Sequence, residues 1–214
     1  MNKTTPTLDR DTFAADYIRI VSSARKMEKY ATQEMADRFF LLTERLLAAN
    51  AVMNLTAITD PREIILKHYF DSLRLAQHLY KVGASLADVG CGAGFPTLPL
   101  AIARPDLAIT AIDSTDKRIV FVRETAAALG LTNVTAVTAR AEDAGAGELR
   151  GTFDYVTARA VARLNMLCEF CIPLLRVGGE FLPMKGKSGA EELEEAENAI
   201  AVLRAKTVEY VEYA

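Results

Sequence analysis

The sequence lacks any apolar run long enough to cross a membrane, and it contains little cysteine. No apolar stretch approaches about 18 residues, and residues 1–10 are polar, without the apolar segment of a signal peptide. Three cysteines are an odd number and give no disulfide framework. We therefore expect a cytoplasmic protein with no membrane partner, built as one domain with an appendage.

Metal-ligand and catalytic-triad patterns are also missing. Cys168 and Cys171 form a C-x-x-C pair inside a helical pattern of leucines, with no second pair nearby. We interpret them as helix packing, with redox or metal use as the alternative. His68 and His78 match no metal or triad spacing, so we expect no metal. His78 is expected on a helix surface, and a place for His68 at a pocket mouth beside Asp71 is an alternative.

An excess of positive charge is the third absence. The formal net charge is −3, which gives no global attraction to nucleic acid, so any RNA binding must come from local basic patches. A solvated helix face is the alternative for each patch. The candidate patches are Arg25, Lys26 and Lys29; Lys117, Arg118 and Arg123; and Arg140, Arg159, Arg163, Lys185 and Lys187.

Apolar spacing divides the chain into a helical region, residues 1–70, and a core, residues 71–214. Residues 9–47 have helical periodicity, 49–59 form a connection, and Asp60-Pro61 begins a helix to about residue 79. Strands then alternate with helices, which predicts an α/β fold with a mainly parallel, doubly wound sheet that binds its ligand at the carboxyl ends of the strands. The predicted strands are 86–90, 107–112, 133–138, 153–158, 179–185 and 207–212; the helices between them are 95–104, 115–129, 162–175 and 189–204.

A glycine-rich turn follows the first predicted strand. Gly90, Gly92 and Gly94 have the spacing G-x-G-x-G, which lets a ligand approach the main chain and points helix amides at it. Asp113 ends the second strand about 20 residues further on, where a ribose-binding acid is expected, and Glu142 follows the third strand. A tight strand-to-helix turn without a ligand is the alternative interpretation.

The turn and the two acids together resemble the class I methyltransferases, which use S-adenosyl-L-methionine (SAM). The third glycine comes one residue earlier than in the G-x-G-x-x-G pattern of dehydrogenases, which favours SAM over NAD. Sheets of this class usually close with an antiparallel hairpin. The chain stops after the first strand of that hairpin, so we expect its final strand to be missing or the chain to be truncated.

Further motifs favour one family within the class. The fourth strand lacks the D/N-P-P-Y turn of exocyclic-amine methyltransferases, and no Pro-Cys nucleophile for a pyrimidine ring is present. From about Leu46 to Gly186 the chain resembles the RsmG (GidB) family of bacterial small-subunit rRNA guanine-N7 methyltransferases. The segments that carry the resemblance, in order, are Asn54–Ile58, His68–Leu73, Asp88–Pro96, Asp113-Ser114 with Lys117-Arg118, Ala139–Glu142, Ala158–Ala160 and Lys185-Gly186.

The resemblance implies a SAM-dependent enzyme that methylates N7 of one guanine in the 530 loop of 16S rRNA. Its substrate would be 16S rRNA or the small ribosomal subunit, and we expect a monomer. By position, the family's SAM contacts fall on Gly90, Phe95, Ala141, Glu142 and Arg159, joined by Gly92, Gly94 and Asp113 from the argument above. The chain departs from the family at Ala49, where tryptophan is common, and at Thr97, where glycine is common.

The expected chemistry needs no catalytic histidine. Guanine N7 has a lone pair and no proton, so methylation requires positioning rather than a base, and such positioning is worth up to about 7–11 kcal/mol. Arg140 and Lys185 lie near predicted strand ends and are expected to hold phosphates or the guanine; an ion pair with a carboxylate is the alternative for each. Other functions left open are methylation of another RNA or a small molecule, and a non-catalytic NAD or nucleotide-binding module.

Overall fold

The computed structural model describes residues 8–213, and its first part consists of two packed helices. These are α1 (Arg10–Ser22) and α2 (Gln33–Met53), with a short 3-10 helix at Glu28–Tyr30 between them. Asp9 caps α1 by accepting a hydrogen bond from the Thr12 N–H at 2.8 Å. The predicted connection 49–59 is wrong in its first half, because residues 49–53, which include two alanines and a methionine, continue α2 until Asn54 adopts a left-handed conformation.

The next helix runs from residue 61 to residue 76 in three segments. It consists of α3 (Pro61–Ile64), a π-helical turn (Ile65–Phe70) and α4 (Asp71–Ala76). Asp60 caps it by accepting from the Glu63 N–H at 2.9 Å, and Pro61 lies in the first turn, as predicted. The helix ends three residues before the predicted position, where the Gln77 N–H bonds to the Arg74 carbonyl.

Five parallel strands form one sheet in the order β3-β2-β1-β4-β5. Their bounds are β1, Ser85–Val89; β2, Ala108–Asp113; β3, Val134–Thr138; β4, Phe153–Arg159; and β5, Leu175–Met184. Five of the six predicted strands are confirmed, although β5 begins earlier than expected. Because all five run in one direction, their carboxyl ends meet at one edge of the sheet.

Helices cover both faces of the sheet, which confirms the doubly wound α/β prediction. Their bounds are α5, Thr97–Ala103; α6, Asp116–Ala128; α7, Ala141–Ala146; α8, Leu164–Cys171; and α9, Gly189–Val202. Helices α5 and α6 share one apolar cluster with α1, α2 and α4. A second cluster on the other face joins α7, α8 and α9, and it includes the buried Cys168 and Cys171, as helix packing predicts.

The strand predicted at 207–212 is wrong. Residues 205–213 have no regular secondary structure, and among the described residues the main chain of 206–213 makes no backbone hydrogen bond to a strand. The Tyr213 ring instead lies 4.5 Å from the Arg74 guanidinium of α4 and contacts His78, while Tyr210 lies beside Gly189 at the start of α9.

The helical region and the sheet are joined through the first apolar cluster. Phe39 of α2, Tyr69 of the π-helical turn, Leu98 of α5 and Leu86 of β1 all belong to it. The predicted boundary between residues 70 and 71 stays a prediction, and it falls within a continuous helical segment. None of the helices in residues 8–213 is long and apolar enough to span a bilayer.

Candidate functional site

The glycine-rich turn leads from β1 to α5 at the carboxyl edge of the sheet. Gly90, Gly92 and Gly94 all have positive φ, between 55° and 83°. A Cβ on Gly90 would lie 2.4 Å from a methyl of Val161, whereas a Cβ on Gly92 would meet only one atom within 4 Å. The turn is therefore closed at Gly90 and open at Gly92, where its main chain is accessible to a ligand.

Asp113 connects the glycine-rich turn to the end of β2. Its carboxylate accepts hydrogen bonds from the Gly92 N–H at 3.0 Å and the Thr115 N–H at 2.8 Å. Arg118 approaches the same carboxylate at 3.6 Å, and Asp113 is buried. An ionised carboxylate offers about four acceptor positions, and these two hydrogen bonds use two of them.

Asp88, which the sequence analysis did not single out, is the most deeply buried acid of this edge. One carboxylate oxygen accepts from the Thr97 N–H at 3.1 Å and the Thr97 hydroxyl at 2.6 Å, and the other, Oδ1, is buried without a hydrogen-bond partner among the described residues. Burial raises the pKa of Asp88 to about 6. The sequence could have indicated Asp88 as a site residue, because it is a charged residue in an apolar strand, two positions before Gly90. An unpaired buried acceptor fits the cationic ammonium group of SAM.

Phe95 and Arg159 lie together with His68 at the junction of the helical region and the sheet. The rings of His68 and Phe95 stack with centroids 4.4 Å apart and an interplanar angle of 12°. The Arg159 guanidinium lies 5.6 Å from the Phe95 centroid and donates to the Lys67 carbonyl at 3.1 Å and to His68 Nδ1 at 3.2 Å. His68 therefore contacts both Phe95 and Arg159, two of the residues predicted to bind the cofactor.

Burial keeps His68 neutral. It lowers the pKa of His68 to about 4, and the positive charge of Arg159 acts in the same direction. Burial also lowers the pKa of Arg159, although nearby Asp88 and Asp71 oppose that change. The alternative for His68 was a position at the mouth of a pocket. In the structure His68 is instead buried and stacked on Phe95.

The predicted residues after β3 lie on a more open part of the edge. Arg140 immediately precedes α7, and Glu142 is in its first turn. Both side chains are exposed, and neither forms an ion pair or a side-chain hydrogen bond with another described residue. Ala141 and Glu142 line a cavity of about 230 Å³ together with Arg150, Glu169 and Phe170.

Lys185, after β5, forms an ion pair with Glu192, which is the alternative interpretation that the sequence left open. Its Nζ lies 2.6 Å from Glu192 and donates to the Ala162 carbonyl at 2.8 Å. Lys185 lowers the pKa of Glu192 to about 2. Arg163 of the same basic patch is paired with Glu195, so part of that patch is neutralised locally.

The comparisons with known sequences agree on one family. The sequence profile of the GidB family, described as rRNA small subunit methyltransferase G, matches residues 35–214. The ribosomal RNA small subunit methyltransferase G of Lactobacillus helveticus is 44% identical over 181 residues, covering 83% of this chain and 75% of that protein. The protein of the same name from Macrococcus caseolyticus is 46% identical over 179 residues, with the same coverage of both chains.

Solved structures share the fold at lower identity. A SAM-dependent O-methyltransferase from Thermotoga maritima has a TM-score of 0.52 and 20% identity, covering 73% of this chain and 55% of that chain. A ribosomal protein L11 methylase from Lactobacillus delbrueckii subsp. bulgaricus has a TM-score of 0.50 and 21% identity, covering 67% and 69%. The parallel sheet with helices on both faces is therefore that of known methyltransferases.

Proposed function

Because the chain belongs to the GidB family of rRNA small subunit methyltransferases and is a SAM-dependent rRNA methyltransferase, we propose that it methylates N7 of one guanine in the 530 loop of 16S rRNA. The observation that best supports N7 is the state of His68. Both of its ring nitrogens have hydrogen-bond partners and its low pKa makes it a weak base, so His68 is poorly suited to take a proton from a substrate. N7 has no proton to lose, and its methylation needs no base.

The reaction is a direct displacement. SAM supplies a methyl group bound to a positively charged sulfur. The N7 lone pair forms the new carbon–nitrogen bond while the carbon–sulfur bond breaks and its electron pair stays on sulfur. The protein has to hold the two reactants in line and exclude water, which is the kind of catalysis that a rigid, buried strand edge provides.

We propose that the central part of the edge holds the cofactor. The open face of Gly92 would accommodate it, with Gly90 and Gly94 shaping the turn on either side, and the free acceptor positions of Asp113 would bind its ribose. Asp88 Oδ1 would bind its ammonium group. The other proposed cofactor contacts are Phe95, Ala141, Glu142 and Arg159.

We propose that the RNA approaches from the open side of the edge. Arg140 is exposed beside α7 and is free to contact a phosphate or the guanine. Lys185 can take the same role only if it leaves Glu192 and the Ala162 carbonyl. The enzyme is proposed to act as a monomer, without a metal, on 16S rRNA or the small subunit.

The chemistry of the product supplies the test. An N7-methylated guanine has a fixed positive charge, so reduction and aniline treatment cut the RNA chain at that nucleotide. Small subunits incubated with the protein and SAM should yield one cut in the 530 loop, and the cut should be absent without SAM or with Arg159→Ala. A methyl group on a ring carbon, an exocyclic amine or a ribose would overturn the N7 proposal.

A further inference from the structure

The π-helical turn at Ile65–Phe70 directs two groups toward Arg159. Single π turns inside α-helices are rare and frequently mark functional sites, because they change the hydrogen-bond register of the main chain. Here the Lys67 carbonyl accepts from Arg159 Nη1, and the next residue, His68, accepts from Nη2. Consecutive residues of one turn thus hold two nitrogens of the same guanidinium.

The hydrogen bonds of His68 specify its tautomer. A guanidinium only donates, so Nδ1 facing Arg159 must carry a lone pair and no proton. The ring proton is then on Nε2, which donates to the Thr56 hydroxyl oxygen at 3.1 Å. Stacking on Phe95 fixes the plane of the ring.

Thr56 is itself held in place from two sides. Its N–H donates to Asn50 Oδ1 at 2.8 Å, near the end of α2, and its hydroxyl oxygen accepts from the Ile58 N–H at 3.1 Å. A continuous series of hydrogen bonds therefore runs from α2 through Thr56 and His68 to Arg159, at the end of β4.

We propose that His68 is a positioning residue: its Nδ1 fixes the Arg159 guanidinium beside Phe95, with the remaining N–H groups directed to the ligand. The inference rests on the proposed role of Arg159 in cofactor binding. Two of the five guanidinium N–H groups are used by Lys67 and His68, and three remain. The low pKa of His68 agrees with this role, since a protonated ring would oppose Arg159.

A pair of substitutions separates the two ring nitrogens. His68→Asn places an amide oxygen near the position of Nδ1 and keeps an acceptor for Arg159, whereas His68→Gln reaches toward Thr56 and leaves Arg159 without that acceptor. We expect the SAM dissociation constant, measured by calorimetry, to rise within about threefold for His68→Asn and by about tenfold or more for His68→Gln. Equal losses in the two variants, or none in His68→Gln, would overturn the proposal.

A double-substitution cycle tests whether His68 acts through Arg159. If it does, His68→Gln should weaken SAM binding in the native background but have little effect when Arg159→Ala is already present. Additive effects of the two changes would contradict a positioning role. His78→Asn, which changes the other histidine of the chain, serves as the control and should leave the affinity unchanged.

Nitrogen-15 NMR of the ligand-free wild-type protein tests the geometry even where a variant fails to fold. With only two histidines, His78→Asn assigns the remaining ring signals to His68. We expect a neutral ring protonated on Nε2 at pH 7; a proton on Nδ1 would overturn the proposal. The site of methylation is read from the wild-type cleavage assay, so failure of the N7 proposal is distinguishable from failure of this one.

Discussion

The central and flanking parts of the carboxyl edge are built in different ways. Near the ends of β1 and β4, Asp88, Phe95 and Arg159 are partly or fully buried, and Phe95 and Arg159 contact His68 of the helical region. At the end of β3, Arg140 and Glu142 are exposed. The difference separates a preorganised region, suited to a small cofactor, from an open region suited to a large RNA.

The largest expected effect is in the central part. Asp88→Ala removes the unpaired acceptor and leaves two buried donors of Thr97 without a partner. We expect SAM affinity to fall by about 100-fold and the free energy of unfolding by about 1–3 kcal/mol, measured by calorimetry and denaturant unfolding. The exposed Glu148 offers a matched control, since Glu148→Ala should change neither quantity. Unchanged affinity for Asp88→Ala would remove Asp88 from the cofactor site.

Asp113→Ala should have the next largest effect. The change removes a proposed charged partner of the ribose and the link to the Gly92 N–H. The expected loss of SAM binding free energy is about 1.5–3 kcal/mol, with calorimetry as the measurement. Because NAD also has a ribose, titration with NAD belongs in the same experiment and should show no binding. If Asp113→Ala bound SAM as tightly as the native protein, the ribose assignment would be wrong.

Lys185→Ala tests whether Lys185, at the end of β5, stabilises the fold or contacts the RNA. The change leaves buried Glu192 without its cation, and we expect it to cost about 2 kcal/mol in the free energy of unfolding while SAM affinity stays the same. Loss of methyl transfer with unchanged stability would instead support the proposed contact with RNA.

The same ion pair predicts a pH dependence. The pKa of Glu192 is lowered from 4.5 to about 2, so its stabilising contribution is complete above pH 4.5 and is lost as the pH falls toward 2. Unfolding measured across this range should show a smaller loss of stability in Lys185→Ala than in the native protein. Parallel curves for the two proteins would show that the pair contributes nothing.

Arg140→Ala should have the smallest effect and the opposite profile. Removal of one phosphate contact should raise the KM for small subunits several-fold and reduce the salt dependence of binding by about one charge, with SAM affinity unchanged. Lys206→Ala, in the C-terminal segment, is the control of equal charge. A change in SAM affinity for Arg140→Ala would break the division between the two parts of the edge.

The parts of the fold that depend on local pattern could be predicted from the sequence. Strand periodicity located β1 to β5, and the glycine spacing located the turn that Asp113 anchors. Because carboxyl ends of parallel strands share one edge, residues far apart in the chain could be assigned to one site.

The missed features depend on contacts between distant residues. The contact of Arg159 with Lys67 and His68 joins parts of the chain about 90 residues apart, and no local spacing encodes it. The pairing of Lys185 with Glu192 needed the orientation of α9. The strand expected at 207–212 had suitable local composition, but strand formation requires a partner edge, and this segment instead contacts the rest of the protein through the side chains of Tyr210 and Tyr213.

The apolar cluster shared by the N-terminal helices and the sheet limits how the chain can be divided. A fragment beginning at residue 71 would lose Phe39, Leu42 and Tyr69, and it would expose apolar residues of α5 that share their cluster. Such a fragment is expected to aggregate on expression, because large exposed apolar patches promote association. The helical region is thus not an interchangeable recognition module, and recombination that replaces it would have to preserve the surface that meets α5.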